Sequence, residues 1–218
     1  MRKNSKTIII FIILSHLAGL LGLLFSISRG FFIFLTPFHL IFMVFLGLIT
    51  IQRWTWIFAI KLILIIISAF LIEWAGVKTG FIFGMYWYGH TLGWNLWGVP
   101  ILIGFNWLVL ILSSTSIIQI GGVFNKFPSF VRSLSVASLM VILDYFIEPV
   151  AVYFHYWHWR SGIIPYQNYI AWFVFSFLFS WILGEKMIQK NIPLQVLYIS
   201  QLFFFVALNI GLTKNYLS

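Results

Sequence analysis

Cysteine is absent from the 218-residue chain. That excludes disulfide cross-links, thiolate metal sites and a cysteine nucleophile, and it leaves the redox compartment unread. Acid is almost as scarce, with four Asp and Glu against thirteen Lys and Arg. So few carboxylates cannot build the paired aspartate-rich motifs that hold magnesium diphosphate in prenyl or phosphatidyl transferases. Histidine is sparse too, and only His155 and His158 stand close together. One pair cannot hold the two metals of a membrane hydroxylase or desaturase, and we read these two as interfacial aromatics. No glycine-rich phosphate cradle lies in a strand-to-helix context, and no Gly-x-Ser-x-Gly elbow marks a hydrolase.

What the chain has instead is apolar surface. It is 62% hydrophobic, only 8% charged, and has a mean hydropathy of +1.04. A soluble domain of this size could not hide that much, so the expected class is an all-α, polytopic integral membrane helix bundle, one domain over 1–218. The formal net charge of +9 would suggest nucleic acid in a soluble protein. Here the cations occupy short segments between apolar runs, the pattern that orients a membrane protein, so no nucleic-acid partner is expected. The first run is too long for a signal-peptide core and lacks a small-residue cleavage site, so it reads as a span.

Hydropathy predicts seven spans, at about 7–28, 31–50, 54–74, 101–120, 130–152, 168–183 and 194–213. Arg29-Gly30, Gln52-Arg53, Gly121-Gly122 and Glu185-Lys186 read as turns, and Lys61 as a snorkelling cation. With the N-terminus inside, Arg2, Lys3, Lys6, Arg53, Lys126, Arg132, Lys186 and Lys190 are cytoplasmic, against Arg29, Lys78, Arg160 and Lys214 outside. That bias predicts the N-terminus inside and the C-terminus outside, and the expected location is a bacterial cytoplasmic membrane. Two aromatic-rich loops then share the non-cytoplasmic side.

Three of the four acids sit at the mouths of those loops. Glu73 closes the third span. Asp144 and Glu148, four apart on one helix face, have Cβ atoms roughly 5–6 Å apart in a regular helix. Acids within a span are costly and mark function, the plainer reading being a structural ion pair with a nearby Arg or Lys. The loop after Glu73 carries glycines at 76, 80 and 84, a spacing that also permits close helix packing, and aromatics that also suit an interfacial belt. A substrate-lining re-entrant segment fits the same residues. Pro100 to Trp107 and Pro165 to Trp172 share one spacing, a faint internal echo. Pro149 leaves the Tyr145 carbonyl without its helical partner, free to orient a water.

Carboxyls, aromatic rings and amides, with no evident cofactor site, suit acid catalysis on a hydrocarbon. A carboxylic acid stays neutral more readily when buried and beside a second carboxyl, and touching acids titrate as a pair. Aromatic faces such as those of Tyr86, Trp87, Tyr88, Trp157 and Trp159 stabilise a cation.

The stretch Glu73-x-x-Gly76-x-x-Thr79-Gly80-x-x-x-Gly84-x-Tyr86-x-Tyr88, the Gly98-Val99-Pro100 turn and Asn106-Trp107 resemble the carotenoid biosynthesis membrane family, which includes the CruF-type carotenoid 1,2-hydratases. Asp144-x-x-x-Glu148-Pro149-x-Ala151, Trp157-x-Trp159 and Pro165-x-x-Asn168-x-x-x-Trp172 are similar to its other signature, so the family-like core spans about 70–175. The resemblance implies addition of water to the terminal isopropylidene double bond of an acyclic or monocyclic carotenoid. With it go membrane lipid and other carotenoid-pathway enzymes as partners. On that reading Asp144 is the proton donor, Glu148 tunes it, and Glu73 positions or deprotonates the water. Thr79, Gly80, Phe83, Gly84, Tyr86, Tyr88, Asn106, Trp107, Trp157, Trp159, Asn168 and Trp172 contact substrate, with no metal and no cofactor. The alternatives are a carotenoid cyclase forming the same cation, a transporter that uses buried acids, and a non-catalytic subunit of a pathway complex.

Overall fold

Seven helices make up most of a computed structural model that describes residues 5–184 and 190–217. The sequence readings at Arg2, Lys3, Glu185 and Lys186 lie outside the described residues. The helices are α1 (Ser5–Leu24), α2 (Ser26–Ile49), α3 (Trp56–Thr79), α4 (Leu102–Ile117), α5 (Ser129–Tyr153), α6 (Tyr166–Leu183) and α7 (Ile192–Leu217). Among the described residues α1, α2, α3, α5 and α7 are long and apolar enough to cross a membrane. The fourth helix is shorter, and the sixth opens on a polar turn, Tyr166-Gln167-Asn168. Large apolar residues such as Leu14, Phe34, Ile63 and Ile67 point outward, as lipid solvent allows. The protein is an all-α membrane helix bundle.

The first hairpin differs from the sequence reading. Its break falls at Phe25, which is extended, so Arg29 and Gly30 lie inside α2. Arg29 there folds back to donate to the carbonyls of Leu23 (3.0 Å) and Leu24 (3.2 Å), which α1 leaves without helical partners. Thr55 starts α3 by accepting the N–H of Phe58 at 3.1 Å. That helix runs past Trp74 to Thr79 and stops at Gly80, whose φ of 66° is the left-handed conformation glycine tolerates. Glu73 therefore sits more than a turn inside its helix. Lys61 donates to the Leu183 carbonyl at 3.2 Å.

Gly76, Gly80 and Gly84 form no helix-packing stripe, because only Gly76 is helical. Close approach of α3 and α4 depends on Gly104 instead, where a Cβ would lie 2.5 Å from the Ile66 carbonyl oxygen.

Nor is either aromatic loop a re-entrant helix. Strand β1 (Tyr86–Tyr88) is followed by a short hairpin of β2 (Asn95–Leu96) and β3 (Val99–Pro100), and β4 (Trp157–Trp159) follows α5. β1 and β4 pair antiparallel, Tyr86 with Trp159, Trp87 with His158 and Tyr88 with Trp157. The two loops thus form one ribbon across the ends of α3 and α5. Strand alternation sends Tyr86, Tyr88, Trp157 and Trp159 to one face, while Trp87 stacks on His158 on the other. The units α3-β1-α4 and α5-β4-α6 share a plan: glutamate near a helix end, strand, proline, and a tryptophan seven residues later. Trp107 and Trp172, which carry the echo, stack face to face with centroids 4.0 Å apart.

Where β1 ends, the Gly89 N–H donates to the Tyr156 carbonyl at 2.9 Å, and a Cβ on Gly89 would lie 2.0 Å from the His155 oxygen. Only glycine lets the two loops meet here. Gly89→Ala is expected to push the ribbon off the bundle and destabilise the protein by about 1–3 kcal/mol, the usual cost of overpacking. Thermal unfolding in detergent checks this, and a variant as stable as the parent would refute it.

Candidate active site

Glu73 lies 5% exposed beneath the ribbon, and three neutral donors reach it. The Tyr86 and Tyr88 hydroxyls donate to Oε2 at 2.5 and 2.8 Å, and the Trp107 indole Nε1 donates to Oε1 at 2.8 Å. Burial first, and the adjacent Glu73 second, push both tyrosine phenols well above their ordinary range, so they stay protonated donors.

Glu148 has a matching cradle. Trp157 and Trp159 donate through Nε1 to Oε2 at 3.0 and 2.8 Å, and Asn168 Nδ2 donates to Oε1 at 3.1 Å. The same Nδ2 donates to Asp144 Oδ2 at 2.9 Å. Asn168 therefore ties the two acids of α5 together, one turn apart on a shared face. The other Asp144 oxygen, Oδ1, is buried with no hydrogen-bond partner.

Among the described residues, no Lys or Arg bonds to any of the three carboxyls, so the structural ion-pair reading finds no support there. Those described residues also hold no group of three or more His, Asp or Glu that could bind a metal.

A small cavity of about 30 Å³ lies between the carboxyls. It is lined by Glu73, Glu148, Phe83, Tyr86, Tyr88, Ile103, Asn106, Trp107, Ile147, Trp157, Trp159, Asn168 and Trp172. It is large enough for a water, and its walls carry carboxyl, amide and hydroxyl groups beside apolar ones. Ile103, Asn106, Ile147 and Trp157 also wall a second, mainly apolar cavity of about 290 Å³. Asn106 stands at that junction, and its side chain makes no hydrogen bond to the described protein.

Most of the residues singled out in the sequence converge here. Four do not. Asp144 is fully buried behind Glu148 and reaches neither cavity. Thr79 is exposed and returns its hydroxyl to the Ala75 carbonyl, Gly80 caps α3, and Gly84 packs against Pro165 and Trp159. Tyr145 and Pro149 are both on the exposed side of α5, away from the carboxyls, so the carbonyl freed by Pro149 does not serve the site. The sequence reading in turn missed the large cavity, which α1, α2 and α7 help to enclose. Its only advance signal was polar residues within apolar spans, His16, His39 and Gln201.

A family model described as carotenoid biosynthesis protein matches residues 31–217. The chain belongs to the carotenoid biosynthesis protein family. The match takes in most of α2 and all of α7 as well as the 70–175 stretch that carries the signature residues. No curated protein and no solved structure matches the chain. Membership in this family assigns the bundle to carotenoid biosynthesis. It also implies a carotenoid substrate.

Proposed function

We propose that the protein is a cofactor-independent carotenoid hydratase that adds water to the terminal isopropylidene double bond of an acyclic or monocyclic carotenoid. One observation carries this reading: a water-sized pocket between two glutamates adjoins an apolar cavity, the two sharing Ile103, Asn106, Ile147 and Trp157 in their walls. The hydrocarbon end would occupy the large cavity, with its double bond at Ile103, Asn106, Ile147 and Trp157.

Glu148 donates a proton to the CH carbon of the terminal double bond, leaving a tertiary cation on the carbon that bears the two methyl groups. The rings of Trp157, Trp159, Tyr86 and Tyr88 face that cation. A water held by Asn106 and Glu73 attacks it, and Glu73 takes the released proton. Return of that proton to Glu148 across the shared pocket closes the cycle. Water is added with no redox change, and the atoms balance.

The donor role moves here from Asp144 to Glu148, because only Glu148 borders the pocket. Asp144 becomes a positioning residue, acting through the shared amide of Asn168. In the cell we place the protein in the bacterial cytoplasmic membrane, N-terminus inside, with the ribbon on the outer face beside other carotenoid-pathway enzymes.

Expression in a lycopene-producing bacterium tests the reaction. The expected product is heavier than its precursor by one water. A product of unchanged mass would identify a cyclase, which quenches the same cation with a neighbouring double bond. Unaltered pigment in cells shown to hold the folded chain would overturn both.

A further inference from the structure

The large cavity has a polar wall that the proposed chemistry does not use. His16 of α1, His39 of α2 and Gln201 of α7 all line it, with the two imidazole centroids 4.9 Å apart in an edge-on arrangement. One nitrogen of His16 is engaged, with Nδ1 2.7 Å from the Ile12 carbonyl. His39 makes no hydrogen bond to the described protein. Gln201 is 5% exposed, and its Oε1 is buried with no partner. An amide left unsatisfied inside a membrane bundle is costly to keep, and three helices have each brought a polar side chain to one apolar chamber. Intramembrane polar groups placed in this way mark a ligand path.

We infer that this wall is a second anchor, which hydrogen-bonds an oxygen function, hydroxyl or keto, carried by the polyene near its reacting end. A hydroxyl matches best, since it can donate to Gln201 Oε1 while accepting from the Gln201 amide or a histidine N–H. The preferred substrate is then a carotenoid already oxygenated in that half, supplied by an earlier oxygenation or hydration, with the unoxygenated polyene still accepted but bound more weakly. This rests on the reading of the cavity as the carotenoid site, not on which fate its cation meets.

Binding separates the two. Quenching of the intrinsic tryptophan fluorescence of the full-length protein in detergent is titrated with two polyenes that differ only by one hydroxyl near the end group. The oxygenated polyene is expected to bind about tenfold more tightly. Gln201→Leu and His39→Phe should each cut that preference severalfold, and leave the hydrocarbon's affinity unchanged or improved. Gln201→Leu should also melt no lower than the parent without ligand, because it removes an unsatisfied group rather than a contact. Gln201→His, which keeps a polar group, should retain part of the preference. Equal affinities in the parent, or a preference surviving both apolar substitutions, would overturn the anchor. Failure to bind either polyene would overturn the carotenoid site itself.

Discussion

Glu148→Gln is expected to leave the protein folded and to reduce hydration by about a hundred- to ten-thousand-fold, the range lost with a general acid. Glutamine keeps the shape and an acceptor oxygen for the indoles of Trp157 and Trp159, so two of the three cradle bonds survive while the proton and the bond from Asn168 are lost. Asp144→Asn separates the roles on α5. Asp144 reaches neither cavity and meets the site only through Asn168, so its loss should cost about tenfold. The measurement is product per folded protein in carotenoid-producing cells, with polyene binding as the control. If Asp144→Asn abolishes hydration and Glu148→Gln retains it, the donor has been assigned to the wrong acid of the pair.

Trp107→Ala is expected to destabilise the fold more than Gly89→Ala or either carboxyl substitution. Trp107 is 1% exposed, stacks on Trp172 and holds Glu73 Oε1. Truncating a buried tryptophan costs about 3–5 kcal/mol through lost packing and the cavity left behind. The change also leaves a buried carboxylate oxygen without its donor. Thermal unfolding in detergent and yield in the membrane measure the loss. Trp107→Phe keeps a ring in the stack but removes the N–H. It should unfold only modestly earlier while hydration falls about tenfold, since one such hydrogen bond is worth about 1–2 kcal/mol. A Trp107→Phe enzyme as active as the parent would show that the bond to Glu73 serves packing alone.

Several elements were legible because their signals are local. Hydropathy located every helix to within a few residues except where capping decided the end: Thr79 prolongs α3 because Gly80 lies beyond it, and Phe25 breaks the first hairpin ahead of Arg29. The scarcity of acids singled out Glu73, Asp144 and Glu148, and the matched spacings to Trp107 and Trp172 pointed to two similar halves. The ribbon was not legible. Tyr86 and Trp159 are far apart in sequence, and nothing local says that two aromatic loops pair as strands rather than line the interface separately.

By itself the sequence settled that this is a membrane helix bundle and singled out its rare carboxyl groups, because apolar runs and rare charges can be counted without knowing any contact. Only the tertiary structure decided that Glu73 and Glu148 share a pocket while Asp144 stands behind it, and that α1, α2 and α7 close a chamber beside them. Which way a side chain points depends on how each helix is rotated against its neighbours. That rotation is set by close approaches such as Gly104 on Ile66 and by hydrogen bonds such as Asn168 to both acids of α5, which form only when distant segments meet.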